Sequence, residues 1–354
     1  MTYKAVQTIE SQAAENEQND KESIRQILTK SSVDVDIDLL KRKLLFECDV
    51  TVNFHLDRFS NNGKLIIENL LVDGEYHNQY KTGTSNGGRT AHIGGDRDLW
   101  EKRLFNGIYH DGQSEMISRP KYGALNIHNY KDGANARFGS CFFTVKPHVV
   151  ERCTFALGDS STNPDVMGTS RQFFGIVKAI LQRVDDTGKL VEKKDFTIKK
   201  AVDYILSMQK DYMNGMGRVL DNICVETHIH GKLSLLEDIE SLYIDEFYTD
   251  TDIYKIIKAM SERYEIKLRY IPKRQFHTSK MDDEEWLWKG VPLTKSLANR
   301  INKKFGGNGQ LNTVLIGLAS QDSVINPNDW LDIGSEYDLF QDFKKIWHYC
   351  AYWG

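Results

Sequence analysis

The sequence predicts an α+β fold, and two kinds of periodicity carry that prediction. Residues 49–55 and 223–231 alternate with period 2 and read as strands, and 152–157 reads as another. Between them, residues 34–46, 173–183, 198–208 and 252–264 place apolar side chains at helical spacing. No G-x-G-x-x-G follows a strand and no G-x-x-x-x-G-K-[ST] occurs, so neither a Rossmann nor a P-loop reading has its fingerprint. With 354 residues, 40% of them hydrophobic, the chain can build one large domain or two smaller ones.

Composition narrows the function classes. A net charge of -4 sets up no global basic field toward nucleic acid or anionic lipid, although a local basic cleft would not register in the total. No apolar run approaches the ~20 residues of a membrane helix, so no membrane association is expected. The first 26 residues are rich in Gln, Asn and Glu and lack an apolar signal core. Cys48, Cys141, Cys153, Cys224 and Cys350 are odd in number and never spaced Cys-x-x-Cys, which suits reduced, buried thiols. A cytoplasmic enzyme is expected, with delivery into another cell left open.

In order, residues 1–32 read as a polar arm, helical or disordered. Residues 34–46 form a helix with Ile37, Leu40, Leu44 and Leu45 on one side. The strand at 49–55 points Val52 and Phe54 one way and Thr51, Asn53 and His55 the other, and it runs out into Asp57 and Arg58. A turn at Asn61-Asn62-Gly63 leads to a helix over 63–73 that Gly74 stops. Residues 79–88 (QYKTGTSNGG) read as a second strand and its following loop. Asp96 or Asp98 is expected to cap a helix running through Leu104. Strands follow at 119–126, 137–145 and 152–157, then a polar loop at 158–164, helices at 173–183 and 198–208, and the strand at 223–231. Beyond 235 the pattern mixes a helix at 252–264, a strand at 265–270, a helix at 293–304 and an aromatic-rich helix at 337–353. The domain plan is an arm (1–32), a core (33–245) and an α/β extension packed on the core (246–354).

Two stretches carry chemistry. In 79–88, glycines permit close backbone approach, and Thr82, Thr84, Ser85 and Asn86 offer short donors and acceptors, which suits a loop pressed on a polar ligand as well as a plain turn. In 223–231, period 2 puts Glu226, His228 and His230 on one face. Three ionisable groups are costly to bury without partners, so that face is expected to line a wet cleft. The set could ligate zinc, could supply a carboxylate to a cationic transition state, or could be a satisfied histidine pair on a surface strand. Arg58 could clamp a phosphate or pair with Asp57 or Glu68. No G-x-S-x-G elbow appears.

The segments 51–58 (TVNFHLDR), 74–88, 94–105 (GGDRDLWEKRLF), 119–125 (RPKYGAL), 137–141 (RFGSC), 154–160 (TFALGDS) and 225–231 (VETHIHG) occur in one order. They resemble an uncharacterised bacterial family known chiefly as a domain of unknown function. That family in turn resembles divergent ADP-ribosyltransferases of the arginine–serine–glutamate type. The resemblance implies a split, twisted β-sheet core with flanking helices and NAD as co-substrate. It implies that Arg58 holds the NAD phosphates, and that Ser85, with Thr82 and Thr84, braces the nicotinamide pocket and the catalytic acid. It makes Glu226 the group that bonds the nicotinamide ribose and stabilises charge there. His55, Tyr80, Gly83, Asn86, Gly87 and His228 complete the implied cofactor site.

One departure concerns the acceptor. Arginine-modifying members carry an acid two residues before the glutamate, a place held here by Cys224, unless Glu226 is itself the first of the pair and His228 the second. The expected activity is transfer of ADP-ribose from NAD to a protein or nucleic-acid acceptor, as a toxin or effector that an antitoxin or regulatory partner could restrain. The loop at 211–222 (DYMNGMGRVLDN) suits acceptor recognition. Rival expectations are NAD glycohydrolysis, a metal-dependent hydrolase using Glu226, His228 and His230, and a non-catalytic nucleotide-binding module.

Overall fold

A computed structural model describes residues 3–84, 88–110, 118–210, 213–218, 220, 222–281, 287–288, 291–292 and 295–354. The expected arm is one 27-residue helix, α1 (Lys4–Lys30), which buries Ala5, Ile9, Ile24 and Leu28. These positions form a stripe at helical spacing, so the segment is part of the fold. The carboxylate of Asp36 accepts from Asp38 N–H and starts α2 (Ile37–Phe46), whose Leu40 and Leu44 are fully buried. β1 (Val50–Phe54) follows, then α3 (Ile66–Asp73), which Gly74 ends in the left-handed conformation at φ 64°.

The strand expected at 79–82 is instead a single helical turn, α4 (Gln79–Thr82). Asn78 accepts from Lys81 N–H at its start, and Gly83 closes it at φ 66°. Local hydrogen bonds from the amide side chain satisfy backbone groups that a strand would have offered to a neighbour. Gly95, rather than either aspartate, is the N-cap of α5 (Asp96–Leu104), and Asp98 in the first turn accepts from Gly94 N–H.

Next come β2 (Lys121–Leu125), β3 (Cys141–Val145), β4 (Cys153–Leu157) and the unexpected β5 (Met167–Thr169). α6 (Phe174–Thr187) and α7 (Ile198–Ser207) cross before β6 (Val225–Ile229) and α8 (Leu235–Asp238). β7 (Ile239–Asp245), also unexpected, leads to α9 (Ile253–Arg263) and β8 (Lys267–Ile271). The C-terminal part adds β9 (Gln275–His277), the short pair β10 (Leu287–Trp288) and β11 (Val291–Pro292), and α10 (Lys295–Phe305). It ends in β12 (Gln310–Asn312), α11 (Thr313–Ile325) and α12 (Glu336–Trp353). No helix among the described residues is long and apolar enough to cross a membrane.

The fold is mixed α+β around an open, twisted eight-stranded sheet of order β5-β4-β6-β2-β1-β3-β7-β8. Every neighbouring pair is antiparallel except β7 and β8. The joint between β1 and β2 matters most. They pair at Val50 with Leu125 and Thr51 with Ala124. Farther on, β1 stays with β3 (Asn53 opposite Phe142), while β2 stays with β6 (Tyr122 opposite His228). The sheet therefore forks. Gly123 sits at the fork, where a Cβ would lie 2.6 Å from the Thr51 carbonyl oxygen, so only glycine fits without displacement.

Helices pack on the sheet around one core that includes Leu28, Leu44, Phe143, Phe155, Ile180 and Val202. That core continues past residue 245 through Ile257 and Ile266, so α9 and β8 belong with the sheet. A second core begins with β9 and gathers Phe276, Leu297, Ile301, Trp330 and Trp347. Polar ties join the two: Thr313 donates to Asp245 Oδ2 at 2.7 Å, Trp347 Nε1 to the Ala136 carbonyl at 3.0 Å, and Gln321 to the Asp57 carbonyl at 2.9 Å.

Candidate active site

The fork in the sheet opens into a cleft. Its floor carries Asn53 from β1, Tyr122 and Gly123 from β2, and Glu226 from β6. Residues of α3 and the 75–84 segment form one wall, and Ser320 and Val324 of α11 with Phe340 and Phe343 of α12 form another. The extension beyond 245 thus supplies one wall of the cleft.

Glu226 owes its position to its neighbours. It faces Ala124 on β2 and Ala156 on β4, both fully buried, whose small side chains leave room for a carboxylate. After β4 the ladder continues through Gly158 N–H to the Cys224 carbonyl and Asp159 N–H to the Asn222 carbonyl. The chain then turns, with Asp159 accepting from Ser161 N–H. That turn aims Ser160 at Glu226: its N–H and its hydroxyl both donate to Oε1, at 3.1 and 2.6 Å. His228 Nε2 reaches the same oxygen at 2.9 Å. No described residue hydrogen-bonds Oε2. One oxygen is therefore held by three donors, and the other is left to the cleft.

Arg97 of α5 lines the cleft with its guanidinium 4.2 Å over the Tyr122 ring and 5.4 Å over the Trp100 ring. Its Nε and Nη1 are buried and make no hydrogen bond. Buried polar groups are rarely left so, and each unmade bond is costly. The neighbouring arginine is committed instead: Arg119 holds Asp98 at 2.6 Å and Glu101 at 2.8 Å, and the Tyr122 hydroxyl also donates to Glu101 at 2.8 Å. Burial pushes the Glu101 carboxyl up against these partners. Lys121, also in the lining, donates to the Gly231 carbonyl, and burial pulls its ammonium down to about 8.

The residues singled out in the sequence divide sharply. Glu226, Arg58, His55, Thr82 and Thr84 all line this one cleft. Arg58, however, is already paired, its Nη1 2.6 Å from Asp57 Oδ1. His55 takes a hydrogen bond with Ser140 at Nδ1, and burial holds its imidazole well below the usual range, ahead of repulsion from Arg58. Tyr80 faces away, its hydroxyl accepting from Arg119 at 3.2 Å and its ring beneath that guanidinium. Gly83 serves the end of α4. Ser85, Asn86 and Gly87 lie outside the described residues.

The expectation that Glu226, His228 and His230 share a wet face is corrected. His228 and His230 are fully buried, and only Glu226 reaches the cleft. Desolvation is offset by partners: each imidazole has both nitrogens hydrogen-bonded, His228 to Glu226 and Thr154, and His230 to Thr154 and Tyr109. No nitrogen is left for a metal, and among the described residues no three His, Cys, Asp or Glu side chains converge on one. Cys224 is buried beside Asn135, and burial raises its thiol to about 12, so it supplies no acid two residues before Glu226.

Sequence reasoning did not single out Arg97, Tyr122 or Ser160 individually. Arg97 stood within the GGDRD run and Ser160 within the polar loop after β4, but their convergence on Glu226 depends on strand order. No curated protein matches the chain. A family model described as protein of unknown function (DUF3626) matches residues 49–352, a span from β1 to α12 that holds every cleft residue named above. The chain belongs to that family, DUF3626.

Proposed function

We propose that this protein is an ADP-ribosyltransferase that cleaves NAD at the nicotinamide glycosidic bond and passes ADP-ribose to a macromolecular acceptor, protein or nucleic acid. The observation that carries the reading is the state of Glu226: Oε1 saturated by Ser160 and His228, Oε2 turned over to a cleft that also holds the unpartnered edge of Arg97. Glycosidic cleavage builds positive charge on the ribose, and a preorganised carboxylate stabilises it more in the transition state than in the ground state. The Ser160 and His228 donors fix Glu226 before substrate arrives, so little reorganisation accompanies the step.

The charges around the cleft suit a dinucleotide. Arg97, with Nε and Nη1 free of protein partners, is the group we assign to the phosphates, and Arg58 on its Asp57 mount lends further positive potential. The forked sheet, parted between β1 and β2, supports the split-core reading. Tyr122, with its ring beneath Arg97 and its hydroxyl tied to Glu101, holds that guanidinium at the floor of the cleft.

Purified protein with radiolabelled NAD and a cell lysate tests the reading. Nicotinamide release with label on macromolecules is expected; release with no label on protein, DNA or RNA would redirect it to glycohydrolysis. Glu226→Gln should lose on the order of 10³-fold in NAD cleavage while keeping its melting temperature, since an amide oxygen can still accept from Ser160. Near-wild-type cleavage by this variant would remove Glu226 from the chemistry.

A further inference from the structure

Behind Glu226 lies a series of polar groups that the proposed chemistry leaves without a role. The Tyr109 hydroxyl meets His230 Nδ1 at 2.6 Å, and His230 Nε2 meets Thr154 Oγ1 at 3.0 Å. The Thr154 hydroxyl also meets His228 Nδ1 at 3.1 Å, and His228 Nε2 meets Glu226 Oε1 at 2.9 Å. His228, His230 and Thr154 are fully buried, while Tyr109 is half-buried. Phe105 presents its plane edge-on to both imidazoles, with centroids 5.3 and 5.2 Å away.

The direction of each bond follows from the carboxylate. A carboxylate oxygen only accepts, so His228 Nε2 carries a hydrogen. A neutral imidazole has one N–H, so His228 Nδ1 accepts and Thr154 donates to it. The Thr154 oxygen then accepts from His230 Nε2, which leaves His230 Nδ1 to accept from Tyr109. With both rings neutral, this assignment satisfies the whole series, and every donor points toward Glu226. Burial, with His228, Arg152 and Lys121 adding to it, holds the His230 imidazole well below its ordinary range.

We propose that Tyr109, His230 and Thr154 are positioning residues that lock His228 in its Nε2–H tautomer and so keep Glu226 an oriented carboxylate with Oε2 open to the cleft. Without the series, His228 can present a lone pair to Glu226 Oε1; the carboxylate then loses a donor and takes up a proton more readily. The other groups facing this pair do not titrate near neutrality. Arg97 from α5 stays charged, burial raises the Tyr122 hydroxyl on β2 well above its usual range, and the Cys224 thiol on β6 sits at about 12. Arg152 and Lys121, the cations near His230, favour its neutral form.

The activity arm of the test rests on the transferase reading; the spectroscopic arm does not. Histidine side-chain ¹⁵N spectra of the full chain at neutral pH should place His228 and His230 both in the Nε2–H form. An Nδ1–H or doubly protonated His228 would overturn the proposal whatever the protein catalyses. Thr154→Val should give His228 mixed tautomers, lower kcat for NAD cleavage about tenfold, move the acid limb of the pH profile up by about one unit, and leave KM for NAD within twofold. Thr154→Ser should restore the wild-type profile. Tyr109→Phe, at the half-buried end, should give the same upward shift in weaker form and keeps the test alive if Thr154→Val does not fold. An acid limb unmoved in a folded variant sinks the positioning role, whereas a wild type that cleaves no NAD sinks the transferase reading and leaves the spectra to decide the series.

Discussion

Arg58 and Arg97 line the same cleft under opposite constraints, and that contrast sets what each substitution does. Arg58 pairs with Asp57, a carboxylate only 2% exposed. Arg58→Ala would leave a buried charge unpaired, a change that costs about 3–5 kcal/mol, so urea denaturation should register it before any binding assay does. Arg97 makes no hydrogen bond through Nε or Nη1, so Arg97→Gln breaks no bond at those atoms, although Glu101 and Glu226 lose its nearby positive charge. Its expected signature is NAD affinity lowered by roughly 10- to 100-fold with a smaller loss of stability than Arg58→Ala. Equal affinity with the wild type would take the phosphates away from Arg97. At this scale the sequence disclosed Glu226 but not its brace. Alternation along one strand marks a glutamate followed by two histidines, whereas Ser160 stands 66 residues away in the chain and reaches Glu226 only because β4 lies beside β6.

Among elements, legibility followed how much of a segment's pattern was its own. β1, β4 and β6 alternate or are bounded by turn residues and were foreseen, as were α2, α6, α7 and α12. β7 was not, because Ile239, Ser241, Leu242, Ile244 and Asp245 are all buried, and burial on both faces erases period 2. α4 was mistaken for a strand because Asn78 and Gly83, its cap and its stop, are equally good turn residues. The fork between β1 and β2 is an element-scale feature resting on one residue. Gly123→Ala would set a Cβ 2.6 Å from the Thr51 carbonyl and force the strands apart at the floor of the cleft. A loss of roughly 1–3 kcal/mol is expected, together with weakened NAD binding. Stability and binding both at wild-type level would mean that the strands part without the glycine.

The whole molecule is two cores sharing one cleft, and its pH dependence should report on the seam between them. Asp245, at the end of β7, is 2% exposed; it accepts from Phe247 N–H at 2.9 Å and from Thr313 of α11 at 2.7 Å. Burial outweighs those donors and raises its carboxyl to about 6, above the 3.8 of a free aspartate. A folded-state value above the unfolded one means that the unfolded chain releases this proton first as pH rises. The contribution of Asp245 to stability is then full below about pH 4 and is lost as pH climbs through 6, for a total of about 3 kcal/mol. Asp245→Asn cannot ionise, and its amide can still bond Thr313 and Phe247. Subtracting wild-type from variant stability cancels the other titrating groups. Urea midpoints between pH 4 and 7.5 should therefore show Asp245→Asn gaining on the wild type as pH rises, with most of the gain between about 4 and 6 and a plateau above. A difference that stays flat across that range would mean the seam carboxylate is solvated as well in the folded chain as in the unfolded one.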